Sequence, residues 1–186
     1  MLPNLYTIFH GNYGNKPLKK EMPKIIKIIN DKNINNDGIK NSLINYVVRR
    51  AAMQNIEIDY KYFERVFLEV TKTKKEKYEY SSYGDTCFAF AYYFYRNKIH
   101  PKKALFYLKE SIKYPYDECY LYSRFILLAY FYNYGFGVKK DFKQVIRYIS
   151  ATNKIVFHGR ASIECGLNIK YKPVKFDVPK DVHYCC

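Results

Sequence analysis

The chain has 186 residues, room for one sizeable domain and too few for two comfortable ones. With 48% hydrophobic and 26% charged residues it reads as globular rather than disordered, and no window approaches the apolar length that spans a bilayer. A net charge of +15, from 32 Lys plus Arg against 17 Asp plus Glu, makes an acidic protein, a nucleic acid or an anionic membrane a plausible partner.

Tyr (22 residues) and Phe (13) supply much of the apolar content while Trp is absent. A tyrosine hydroxyl needs a partner or water, so many of these rings are expected half-buried, on surfaces suited to partner binding. An AT-rich genome, which favours Tyr, Lys, Asn and Ile together, accounts for the same enrichment. The basic residues are spread along the chain, and the densest cluster, "KTKKEK" (72–77), reads as a solvated helix end or loop. The opening "MLPNLYTIFHGNYGN" lacks the basic segment and apolar run of a secretory signal, and five cysteines without regular spacing fit a reducing compartment. The expectation is a cytoplasmic protein, with Cys87, Cys119 and Cys165 packed as small hydrophobes.

Taken in chain order, the elements alternate. A weak first helix in "LYTIFHGNYG" (5–14) precedes "LKKEMPKII" (18–26); "INYVVRRAAMQ" (44–54) precedes "DYKYFERVF" (59–67); "TCFAFAYYFYRN" (86–97) precedes "HPKKALFYL" (100–108); and "YLYSRFILLAYFYNY" (120–134) precedes "DFKQVIRYI" (141–149). The second segment of each pair recurs in steps of 41 residues, with Lys20, Lys61, Lys102 and Lys143 in register. Two places further on stand Met22, Phe63, Ala104 and Val145, and four beyond those Ile26, Phe67, Leu108 and Ile149, one helical stripe repeated four times. Asp59 and Asp141 suit N-caps, and Pro101 suits a first helical turn. Ala51, Ala52, Ala89, Ala91 and Ala129 give the aromatic segments the small residues that close helix pairs require.

The expected fold is therefore all-α: a right-handed α-solenoid of about four helix–turn–helix repeats in one domain over residues 1–171, with units near 1–40, 41–80, 81–119 and 120–158. A helix in "RASIECGLNIKY" (160–171) would cap the last unit, and residues 172–186 read as an extended tail.

At residues 129–149 the pattern resembles the Sel-one-like repeat, a relative of the tetratricopeptide repeat: Ala129, Tyr132, Gly135, Gly137, Val138, Asp141 and Tyr148 stand at its small, aromatic, Gly-x-Gly-Val, Asp and aromatic positions. The preceding unit has Ala91, Tyr92, Ala104 and Tyr107 but carries "RNKIHP" in place of the glycine turn; the first keeps "GNYGNK", and the second only its Asp59 helix. The resemblance implies a non-enzymatic adaptor that binds a protein or peptide on a concave face. The first helices would line that face, with Arg49, Arg50, Tyr92, Tyr93, Tyr95, Arg96, Tyr130, Tyr132 and Tyr134 as contacts, residue types that often anchor interfaces. About half of these rings would instead simply pack between helices.

Other chemistry finds little support. "YGFGVKKD" (134–141) follows a helix rather than a buried strand and lacks the Gly-Lys-Ser/Thr ending of a phosphate loop, so its glycines read as helix-ending turn residues. The four histidines and five cysteines show no closed metal-ligand spacing, and no cysteine sits in a recognisable nucleophile context, so no cofactor, metal or catalytic residue is expected. The rival to a protein adaptor is a single-stranded nucleic-acid binder, using Lys and Arg on phosphates and Tyr and Phe on bases. The adjacent Cys185 and Cys186 resemble lipidated C-termini, which would add membrane attachment.

Overall fold

A computed structural model describes residues 18–33, 36–72, 80–114 and 118–158, and over these the protein is all-helical. Its seven described helices are α1 (Leu18–Asn30), α2 (Asp37–Gln54), α3 (Tyr60–Thr71), α4 (Tyr80–Arg96), α5 (Pro101–Lys113), α6 (Glu118–Tyr134) and α7 (Phe142–His158). The weak first helix, the C-terminal helix, the tail and both terminal cysteines lie outside the described residues. The aromatic helices begin earlier than their apolar patterns, α2 at Asp37 and α4 at Tyr80, because their first turns are polar.

Capping follows local chemistry. The side chains of Asn36, Asp59 and Asp141 accept backbone N–H groups of the first turns of α2, α3 and α7. His100 stands in the same place before α5 without a side-chain cap bond, and Pro101 supplies the first turn there. The repeated stripe is buried at Phe63, Phe67, Ala104, Leu108, Val145 and Ile149, while the repeated lysines Lys20, Lys61, Lys102 and Lys143 are exposed. In α1 the stripe is rotated: Leu18, Ile25 and Ile29 are buried, and Met22 and Ile26 only partly so.

The starts of α1, α3, α5 and α7 gather at one end of the molecule. There the Leu18 N–H donates to Gln54 at the end of α2, Tyr60 meets His100, and the α6–α7 turn lies on the first residue of α5. One core runs through α1 to α6, with Ile44, Val47, Val48, Phe63, Phe67, Phe90, Phe94, Leu108, Leu127 and Phe131 among its buried members. A smaller group, Ala129, Val145 and Ile149, packs α6 on α7 with Tyr132 and Tyr148.

Polar side chains bridge helices far apart in sequence. Asn41 on α2 donates to Ser82 and accepts from Thr86 on α4, 41 and 45 residues away. Buried Glu64 on α3 accepts from Lys103 at 2.8 Å and Tyr107 at 2.6 Å on α5, 39 and 43 residues on. Arg124 on α6 is fully buried and donates to the Asp85 carboxylate on α4 and to the Ser111 and Tyr114 carbonyls at the end of α5. Gly84 makes room for that junction, since a Cβ there would stand 2.0 Å from the Tyr114 carbonyl oxygen.

The glycine turn is a shared device. Gly135 and Gly137 have φ of +74° and +73°, and Lys98 and His100 before α5 have φ of 55° and 47°, the same alternation without glycine. The sequence "RNKIHP" thus replaces the glycines without losing the turn. Asn55 closes α2 with φ 54°. In all three turns the following apolar residue, Ile56, Ile99 or Phe136, returns its N–H to a carbonyl five residues back and packs on the core.

The two glycines differ in their surroundings. A Cβ on Gly137 would stand 2.1 Å from the Pro101 carbonyl oxygen, whereas one on Gly135 meets the flexible stem of Lys140 at 3.1 Å. Gly135→Ala is expected to cost about 1–2 kcal/mol and Gly137→Ala more, roughly 3 kcal/mol or above, while Lys98→Gly gains about 1 kcal/mol. Urea-unfolding midpoints check the order, and equal costs at Gly135 and Gly137 would remove the close approach to Pro101.

Candidate partner-binding surface

The nine candidate contacts separate into three groups. Arg50, Tyr92 and Tyr93 are buried, at 4%, 2% and 1% relative exposure, so they are corrected from surface contacts to core residues. Arg50 donates to the Tyr46 hydroxyl, which donates to Glu21 on α1, and this chain ties α1 to α2. The Tyr93 hydroxyl accepts the Ile58 N–H and so anchors the α2–α3 turn. Arg49 is partly buried.

Tyr132 belongs to the second group. Its ring stacks on Tyr148 at 5.7 Å and 21°, and Tyr148 in turn lies 5.8 Å from Phe125. With Ala129 in the same packed group, Tyr132 and Tyr148 join α6 to α7. Asp141 is likewise engaged in capping α7.

Tyr95, Arg96, Tyr130 and Tyr134 form the third group, where the ends of α4 and α6 meet. Tyr95 lies edge-on to Tyr130 at 6.2 Å, and Tyr130 lies 5.8 Å from Tyr134, giving a row of three rings across the two helices. Tyr95 itself rests on Phe131 and Phe136, both 5.4 Å away. Tyr134 is 58% exposed, Tyr95 and Tyr130 are half-buried, and Arg96 is exposed at the Tyr95 end. Lys140 is also exposed, and its stem runs over Gly135, the residue that follows Tyr134. Lys140 and Phe136 sit in the turn, where helical periodicity assigns no contact; the pair of lysines following "YGFGV" is the only sequence signal for Lys140.

Burial pushes the Tyr95 hydroxyl up to about 12, with Tyr130 and Tyr134 adding to the shift and Arg96 opposing it. Tyr130 is likewise raised to about 12, by burial and then by Tyr134. The Tyr95 and Tyr130 hydroxyls are therefore neutral throughout the physiological range. Elsewhere burial, followed by the hydrogen bond to Glu64, raises Tyr107, and burial lifts the Cys87 thiol to about 12.

Exposed cations occupy both ends of the helix array: Lys20, Lys61, Lys102 and Lys143 at the starts of the odd-numbered helices, and Lys27, Lys109 and Lys113 towards their ends. Among the described residues no three His, Cys, Asp or Glu side chains cluster as metal ligands, and no helix is long and apolar enough to cross a membrane. No protein-family model, no curated protein and no solved structure matches the chain.

The raised hydroxyls have a stability consequence. An unfolded tyrosine ionises near pH 10, so a ring held neutral to about 12 in the fold contributes stability that is complete below about pH 10 and lost as pH rises towards 12. Alkaline titration followed by tyrosinate absorbance and far-ultraviolet circular dichroism is expected to show a late class of rings ionising together with loss of helicity. Ionisation of all 22 tyrosines near pH 10 with the helices intact would contradict this.

Proposed function

We propose that the chain is a non-enzymatic adaptor: a short right-handed α-solenoid of Sel-one-like type, in which about four stacked helix pairs hold a surface for a protein partner. The observation that carries this reading is the spacing of the polar bridges. Asn41 with Ser82, Glu64 with Lys103 and Tyr107, and Asp85 with Arg124 are 39 to 43 residues apart, close to the sequence period. Side chains one period apart touching one another is what stacked repeats produce. Partner contact then concentrates where first helices leave aromatic and basic side chains uncovered, at the Tyr95, Arg96, Tyr130 and Tyr134 group.

The rival nucleic-acid reading requires cations converging on one aromatic-bearing groove. The spread of exposed lysines over both ends of the array favours a protein partner instead. A composition rich in Lys, Asn, Ile and Tyr suits a virus or intracellular microbe, in which the partner would be a host protein.

Affinity capture from the native cell tests the proposal. A protein is expected to co-purify after nuclease treatment and to be lost with Tyr134→Ala or Arg96→Glu, but retained with Lys27→Glu. Retention of nucleic acid alone, released by nuclease, would support the rival and overturn the adaptor.

A further inference from the structure

We infer that the strip formed by Tyr95, Tyr130 and Tyr134 between Arg96 and Lys140 docks an acidic peptide segment that carries apolar side chains, an inference that rests on the adaptor reading. The strip is a composite of two helices. Tyr95 comes from α4 and the other rings from α6, while Lys140 comes from the turn that follows α6, so it exists only while those helices are held together.

The orientation of the rings selects the occupant. Tyr95 stands edge-on to Tyr130 at 71° and to Phe136 at 89°, and is tilted by 30° on Phe131. Its ring is thus engaged by neighbouring aromatics, whereas single-stranded bases bind by lying on open aromatic faces. The ring edges suit apolar side chains, and phenol hydroxyls as donors suit the carbonyls and carboxylates of a peptide. Tyr134 supplies the exposed contact at one end.

Charge selects further. Arg96 is exposed at the end of α4 next to Tyr95 in the chain, and exposed Lys140 passes its stem over Gly135, the residue that follows Tyr134. A segment crossing the rings therefore meets a positive group at each end, and carboxylates flanking an apolar side chain complement both. A basic segment would be repelled at the same two places.

Fluorescence anisotropy with the full chain provides the test, using a labelled short peptide of alternating Glu and Phe, the same peptide with Lys in place of Glu, and labelled oligothymidylate. The Glu–Phe peptide is expected to bind and the Lys–Phe peptide not. Arg96→Glu and Lys140→Glu should each weaken binding roughly tenfold or more, Tyr134→Ala should weaken it comparably, and Lys27→Glu should leave it unchanged. Circular dichroism verifies that each variant retains its helices; because these side chains are exposed, Arg96→Gln and Lys140→Gln serve as milder substitutes where a reversal does not fold. Equal binding by wild type and both charge variants overturns the inference, as does oligothymidylate competing for the same strip. If a native protein partner is captured but neither it nor the peptide responds to these substitutions, the strip fails while the adaptor stands; absence of any protein partner defeats the adaptor itself.

Discussion

Arg124 is the constraint around which the later helices are arranged. A guanidinium removed completely from water is tolerated only when its charge is answered, and here Asp85 on α4 takes Nη2 while the Ser111 and Tyr114 carbonyls at the end of α5 accept from Nη1. Gly84, one residue before Asp85, lets α4 approach the end of α5 closely enough for those groups to converge. Such a junction contributes little net energy against an apolar substitute of the same shape, but it penalises any sliding of α4, α5 or α6, because a shifted helix would strand a buried charge. Glu64 with Lys103 and Tyr107, and Asn41 with Ser82 and Thr86, impose the same penalty on the α3–α5 and α2–α4 contacts.

Registration of the helices in turn creates the surface. The proposed docking strip needs the end of α4 beside the end of α6, and the turns hold both ends in place. Two left-handed residues separated by one apolar residue precede α5 and recur after α6, as Lys98 with His100 and as Gly135 with Gly137. The apolar residue between them is fixed to the core in each case, so the chain re-enters the next helix at a defined angle. In the later turn the backbone also lies on Pro101, which links that turn to the start of α5 and makes glycine obligatory there.

Much of this order was legible in the sequence, through periodicity. The repeated stripe and the Asp59, Pro101 and Asp141 start signals locate α3, α5 and α7 because burial and capping act through residue types at fixed spacing, whereas in α1 the buried face is rotated from that stripe. The aromatic helices were placed but not oriented. Their apolar residues go almost all the way round, as in α4 where Cys87 to Phe94 are all buried, so no pattern separates inward from outward positions. Tyr92 and Tyr93 were taken for surface contacts for that reason, and Arg50 because a buried arginine is exceptional. Arg124 escaped notice on the same ground: its partners lie 10 to 39 residues away and two of them are backbone carbonyls, which leave no trace in residue identity. Lys98 and His100 in left-handed geometry were hidden likewise, since the sequence advertises such turns only when glycine fills them.

Locking of helices by polar pairs about one period apart is tested most directly by a double-mutant cycle between Asp85 and Arg124. The stabilities of wild type, Asp85→Ala, Arg124→Met and the double variant would be measured by urea unfolding. Arg124→Met leaves Asp85 and two carbonyls without their donor, so a loss of about 3–5 kcal/mol is expected, with a coupling of about 1.5 kcal/mol or more between the two sites. Single-variant losses that add within about 0.5 kcal/mol would mean that the pair does not hold α4 to α6 and would contradict the proposed stacking of repeats.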